Sequence, residues 1–222
     1  LFISLVIAIP LGIYAGYKPE SKTSKIIMGG SILGFSMPTF WVGIIFIMIF
    51  AVHLGWLPST GRGEIGTFLG INSSLFTLNG LSHVFLPALN LALFKISSVI
   101  RLTRAGTREI ILQDYITFAR SKGLSEKRIV LVHILKNILI PIVTVVGLEF
   151  GSLIAFSTVT ETVFAWPGMG KLIIDSIYNL DRPVIVAYLM IIVTFFVFLN
   201  LIVDIPVSYT HLTLPTRGLG WW

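Results

Sequence analysis

The sequence contains no cysteine. Disulfides, thiolate metal sites and cysteine nucleophiles are therefore excluded. Charge is also scarce. Only 12% of residues are Asp, Glu, Lys or Arg, against roughly 25% in soluble domains. With 55% hydrophobic residues and a mean hydropathy of +0.92, too little polar surface remains to cover a water-soluble core. These scarcities imply an all-α integral membrane protein, a polytopic bundle of transmembrane helices. The chain opens at Leu1 inside an apolar run with no charged n-region, so its start does not read as a signal peptide. It is read as beginning within a transmembrane helix.

What is present are long apolar stretches, and a spanning helix takes about 20 such residues. Five are expected: 1–17 with Pro10 as a tolerated kink, 26–54 broken at Ser36-Met-Pro38, 83–100 with Pro87 in its first turn, 137–160, and 183–204. Basic residues are unevenly divided among the connections. Eleven Lys and Arg lie in 18–25 and 101–136, and only Arg62, Lys171 and Arg182 lie in 55–82 and 161–182. The positive-inside rule then puts 101–136 in the cytoplasm and 55–82 and 161–182 outside. The net charge of +6 is thus explained by membrane orientation, and no nucleic-acid partner is expected. Gly30-x-x-x-Gly34 fits a close helix-packing motif.

The basic stretch 101–136 is the most informative. Arg101, Arg104 and Arg108 share one helix face and can reach lipid phosphates or an acidic partner. Asp114 is placed to cap a short helix over Tyr115–Lys122, with Tyr115, Ile116, Phe118 and Ala119 as its apolar side. Gly123 supplies the left-handed conformation that ends helices, and Ser125 is placed to cap the next one. Aromatic groups displayed on a polar loop imply an interface.

Asp114-Tyr-Ile-Thr-Phe-Ala-Arg-Ser-Lys-Gly-Leu124, followed by Pro141, resembles the cytoplasmic loop motif of binding-protein-dependent ABC importer permeases. Thr117-Phe118-Ala119 stands where that motif usually has Glu-Ala-Ala, a replacement typical of the dipeptide/oligopeptide branch. Pro10-Leu-Gly-Ile-Tyr-Ala-Gly16, Ser36-Met-Pro-Thr-Phe-Trp-Val-Gly43 and Glu161-Thr-Val-Phe-Ala-Trp-Pro-Gly-Met-Gly170 resemble that branch as well. The likeness covers about 1–205, as a permease domain lacking its first span. It implies a coupling helix seated in a groove of an ATPase subunit, with Asp114, Tyr115, Phe118, Ala119, Arg120, Lys122, Gly123, Leu124 and Pro141 as the coupling loop. It further implies alternating access in a bacterial or archaeal cytoplasmic (inner) membrane and a peptide, glutathione or nickel-chelate cargo. The implied partners are membrane lipid, a second permease, two ABC ATPase subunits and an extracytoplasmic solute-binding protein. ATP and Mg would sit on the ATPase subunits, leaving this chain without catalytic residues or cofactors. Trp166, Pro167 and Gly168 would form part of the outer rim. Residues 206–222 depart from the pattern and resemble translated adapter read-through, so they are read as a non-native tail.

The remaining candidates are single residues. Glu149 lies 12 residues into its expected span, about 18 Å deep and near the midplane of a ~30 Å core. Intramembrane carboxylates face a bundle interior or cavity, so Glu149 is a candidate for the translocation path and a peptide amine. A proton-coupled secondary transporter with Glu149 as carrier is the reading from another class. Lys95 is expected to snorkel to the cytoplasmic surface; nothing in the sequence supports a bridge to Glu149. Gly168-Met-Gly-Lys171-Leu172 is not a phosphate loop, because position 165 is Ala and no Ser or Thr follows the Lys. The four histidines have no ligating spacing, so no metal site is expected.

Overall fold

The computed structural model describes the backbone of residues 1–212 and the side chains of residues 1–202 except Leu148. It is a helical bundle. Its helices are α1 (Phe2–Tyr17), α2 (Lys22–Ser36), α3 (Thr39–Phe46), α4 (Leu78–Ile111), α5 (Asp114–Ser121), α6 (Glu126–Arg128), α7 (Leu135–Leu148), α8 (Phe150–Val163), α9 (Met169–Tyr178) and α10 (Arg182–Leu212). Two π-helical segments, Ile47–His53 and Ile129–Ile134, continue α3 and join α6 to α7. A small hairpin, β1 (Gly66–Phe68) with β2 (Ile71–Ser73), lies in the 55–82 loop, turning at Leu69 and Gly70, both at positive φ. The tail expected at 206–222 falls within α10 as far as Leu212; 213–222 lie outside the described residues.

Each expected span has a helical counterpart, with shifted limits. Among the described residues three helical runs are long and apolar enough to cross a membrane: Leu78–Ile111, Glu126–Gly147 and Arg182–Ile202. The second expected span is a bent pair, Lys22–Ser36 and Thr39–His53, meeting at 106°. Its break is where it was expected: Met37 and Pro38 are extended, and Pro38 precedes α3 as its N-cap. α1 is apolar but has only 16 residues, about 24 Å of helix. α4 runs 34 residues, because its arginines follow the apolar part without a helix breaker. Pro87 therefore lies inside α4 and not in its first turn. The fourth helical run starts at Glu126, well before Asn137, and is interrupted at Glu149.

The core forms where α1 and α7 pack on α4. Ala8, Ala92, Ile96, Val99, Ile100, Ile138, Ile142 and Val146 are buried together there. α1 approaches α4 through small residues spaced by four: Ser4, Ala8, Gly12 and Gly16 are all buried. A β-carbon at Gly12 would lie 2.5 Å from Thr103 Cβ, and one at Gly16 2.6 Å from Thr107 Cβ. Here the small-residue packing motif operates. The expected pair behaves differently: Gly30 has open space around it, and only Gly34 faces a neighbour, Ser97.

The two groups of connections separate to opposite ends of the bundle. Tyr17, at the end of α1, bonds to Glu126 at the start of α6, which joins the basic segments. At the other end, Gly61 N–H donates to the Phe164 carbonyl (3.0 Å), joining the 55–82 loop to the 161–182 segment.

Candidate functional site: a glycine-ended surface helix and an interior ion pair

α5 is short and amphipathic. Its N-cap is Gln113, and Asp114 is its first helical residue, one position from the cap that sequence predicted. No side chain caps it; the Asp114 carboxylate instead faces the positive end of the helix from its first turn. The C-terminus follows expectation closely. Gly123 has φ +77°. Its N–H donates to the Arg120 carbonyl (2.9 Å) and Leu124 N–H to the Ala119 carbonyl (3.2 Å). These paired bonds satisfy the last carbonyls of the helix, and Leu124 folds back onto the core beside Ala119. Ser125 is the N-cap of α6, though its side chain makes no capping bond.

The apolar side of α5 divides into two. Ile116 and Ala119 are buried and join the core with Ile129 and Ile134. Phe118 is 60% exposed and Tyr115 42% exposed. The Lys122 ammonium lies over the Phe118 ring at 4.5 Å, a cation–π contact. Tyr115 Oη accepts from Asn137 Nδ2 (3.2 Å), and partial burial pushes its phenol pKa up. Arg120 pairs with Glu126, Nε to Oε1 at 3.0 Å, and this carboxylate raises the guanidinium pKa further. Pro141 is away from this loop, inside α7 on an exposed face. Of the arginines expected to share a face toward lipid phosphates or an acidic partner, Arg101 stacks on Phe35 at 4.2 Å, and Arg104 Nε is buried without a partner among the described residues.

The interior holds a polar cluster. Lys95 does not snorkel, contrary to expectation: its side chain is 2% exposed, at mid-length of α4. Its Nζ donates to Glu149 Oε2 (2.9 Å), Ser152 Oγ (2.8 Å) and the Glu149 carbonyl (3.4 Å). Glu149 Oε1 accepts from Ser98 Oγ (3.0 Å). All three ammonium hydrogens thus have acceptors, and both carboxylate oxygens have donors. A buried lysine next to a carboxylate, with every polar group matched, is the arrangement in which burying two charges is tolerated. Glu149 occupies the single-residue interruption between α7 and α8 and remains 27% exposed on one side. Counted from Glu126, it lies about 35 Å along its helical run, and it pairs with a lysine at mid-length of α4.

At the opposite end, Glu161 organises the segment containing Trp166, Pro167 and Gly168. Its Oε2 accepts the Lys171 N–H (2.9 Å), and its carbonyl accepts the Trp166 N–H (2.8 Å). Ala165 sits at φ +45°, a strained value for a residue with a β-carbon. Trp166, Pro167 and Gly168 line a cavity of about 690 Å³ together with Arg62, Lys171 and Asp175. Sequence reasoning had named the tryptophan turn but missed Glu161 as the group that holds it. An acidic residue eight positions before a helix start carries no local signal.

The sequence matches the family described as binding-protein-dependent transport system inner membrane component, over residues 8–210. The chain belongs to this family. Among its relatives, the di/tripeptide transport system permease protein DppB of Pseudomonas aeruginosa (strain UCBPP-PA14) is 40% identical over 207 residues, which is 87% of this chain and 61% of that protein. The oligopeptide transport system permease protein AppB of Bacillus subtilis (strain 168) is 39% identical over 203 residues, 91% of this chain and 62% of that protein. The chain therefore spans about three fifths of the length of these relatives. In fold it is similar to an inward-facing structure of the MetNI methionine ABC transporter, with a TM-score of 0.69, 18% identity, and coverage of 93% of this chain and 88% of that one. The family, the apolar helices and this likeness make it a multi-pass membrane protein with an ABC transporter permease fold.

Proposed function

We propose that the protein is the permease subunit of an ATP-driven importer that carries peptides across the cytoplasmic membrane. Its partners would be a second permease, two ABC ATPase subunits that bind ATP and Mg, and an extracytoplasmic solute-binding protein. The observation that carries this reading is α5. It is rooted in the core by Ile116 and Ala119, closed by Gly123, and presents Phe118 outward. A rigid helix that displays an aromatic side chain at the basic end of the bundle suits docking into a groove of an ATPase subunit. Closure of the ATPase pair would then move α5, and with it the bundle, between inward- and outward-open states. In this reading Glu149, exposed on one side at the centre of the bundle, borders the translocation path, and Trp166–Gly168 belongs to the surface that meets the solute-binding protein. The names of the relatives favour di-, tri- or oligopeptides over a nickel chelate as cargo.

The test is uptake into proteoliposomes holding the complete transporter. Labelled dipeptide should accumulate only when ATPase subunits, ATP and binding protein are all present. Uptake that continued on a proton gradient without the ATPase subunits would overturn the proposal and establish a secondary transporter.

A further inference from the structure

One carboxylate ties together three elements at the basic end of the bundle. Tyr17 Oη, the last residue of α1, donates to Glu126 Oε2 at 2.5 Å across 109 residues of sequence. Arg120, in the last turn of α5, grips the same carboxylate with Nε on Oε1 (3.0 Å) and Nη2 on Oε2 (3.4 Å). Glu126 itself opens α6, from which the chain runs through the π-helical segment into α7. The short Tyr–carboxylate contact and the two-pronged guanidinium are charge-assisted bonds with defined direction.

The location gives these bonds more consequence than exposed ion pairs usually have. The Glu126 and Arg120 side chains are half-exposed, so their bond adds little to stability. What they do is set an angle. Among the described residues, α5 is attached to the bundle by the buried Ile116 and Ala119, by Tyr115 against His133 and Asn137, and by Arg120–Glu126. Of the polar attachments, only the last extends to α1. α1 in turn is locked to α4 by the close approach of Gly12 to Thr103 and Gly16 to Thr107, and α4 carries Lys95.

We propose that Glu126 is a positioning residue for energy coupling: by holding Tyr17 and Arg120 at once, it makes α5 move α1 and α4 together with α7. This rests on the reading of α5 as the helix that receives the ATPase stroke. Apolar packing alone lets α5 rock, because Ile116 and Ala119 lie along one line of the helix. The Arg120–Glu126–Tyr17 bridge removes that freedom, and motion of α5 is conveyed to the helix pair that holds the interior ion pair.

The experiment uses the complete transporter in proteoliposomes with ATPase subunits, binding protein and labelled dipeptide, and measures substrate imported per ATP hydrolysed. Glu126→Gln and Tyr17→Phe should each assemble at wild-type yield and hydrolyse ATP. Their import per ATP should fall, by about tenfold for Glu126→Gln, the equivalent of one charge-assisted hydrogen bond. Arg120→Glu combined with Glu126→Arg should recover part of the ratio. Variants whose assembled amount falls while the ratio stays at the wild-type value would show a merely structural role and overturn the proposal. Should Glu126→Gln fail to assemble, an unchanged ratio in Tyr17→Phe overturns it equally. If wild-type uptake itself proves independent of ATP, it is the transport reading that fails.

Discussion

The Lys95 ammonium lies 2.9 Å from a carboxylate oxygen of Glu149, 54 residues away, at the point where the helix from Glu126 is interrupted. The same ammonium reaches the Glu149 carbonyl and Ser152, so it grips both the side chain and the backbone of the interruption. The pair joins α4 to the junction of α7 and α8 by matched polar groups within an apolar bundle.

Removing Glu149 leaves the Lys95 ammonium buried without its counter-charge. Glu149→Leu is expected to destabilise the protein by about 3 kcal/mol or more. Lys95→Met should cost less, because Glu149 keeps Ser98 and its partial exposure, and the two together should cost less than Glu149→Leu alone, because no charge is then stranded. Thermal unfolding in detergent of the two single variants and the double variant checks this. A double variant as unstable as the sum of the singles would show that the two residues act separately.

The glycines of α1 give a second expectation. Gly12→Ala or Gly16→Ala brings a β-carbon to within 2.5–2.6 Å of Thr103 or Thr107, and the helices must part. A cost of about 1–3 kcal/mol follows from overpacking. Gly29→Ala and Gly30→Ala meet nothing within 4 Å and lie inside α2. They should be neutral or stabilising by up to about 1 kcal/mol from helix propensity. Melting temperatures of the four variants would separate the two pairs.

The contrast marks how far sequence reaches. Gly12-x-x-x-Gly16 and Gly30-x-x-x-Gly34 carry the same local pattern, and only the rotation of each helix against α4 decides that both glycines of the first pair, but only Gly34 of the second, meet it. Gly123 was legible because an αL helix end is a local property, and so was the break at Met37-Pro38. The apolar side of α5 was legible as a set. Its division into buried Ile116 and exposed Phe118 was not, because that depends on what lies beneath. Lys95 was misjudged for a related reason. Snorkelling is the outcome for a lone lysine near a helix end, but α4 continues through Ile111, so Lys95 is at mid-helix with a carboxylate from another helix beside it. The start of α4 at Leu78, ahead of His83, escaped a hydropathy reading, which detects apolar stretches and not the polar turns that prolong them. Its continuation past Arg101 and the helix start after Ser125 were legible from the arginine spacing and the cap.

Glu161 supplies a prediction at the opposite end of the bundle. Its carboxylate accepts the Lys171 N–H in the first turn of α9 and packs against Gly168. Glu161→Ala removes an acceptor from backbone groups at a helix start, a loss of about 1–2 kcal/mol. Glu161→Gln retains an acceptor oxygen and should cost less. Hydrogen exchange at α9 amides reports the effect directly: protection should drop in Glu161→Ala and stay near wild type in Glu161→Gln. Equal protection in all three proteins would show that the bond does not hold the helix start.

The end of α5 provides the most direct link between backbone geometry and the proposed coupling. Gly123 adopts φ +77°, while proline is confined to about −65° and has no N–H to donate. Gly123→Pro therefore cannot keep the present turn, and it also deletes the bond to the Arg120 carbonyl. Gly123→Ala can keep the turn, with a strain of about 1–2 kcal/mol. Phe118→Asp leaves the backbone unchanged but replaces the exposed ring with a charge, which removes apolar contact area and the Lys122 cation–π contact. Gly123→Pro and Phe118→Asp should both abolish ATP-driven uptake while the chain still inserts, and Gly123→Ala should retain most of it. Insertion is checked by protease protection, and uptake in the reconstituted transporter. Wild-type uptake by both Gly123→Pro and Phe118→Asp would mean that neither the turn nor the aromatic face of α5 takes part in coupling.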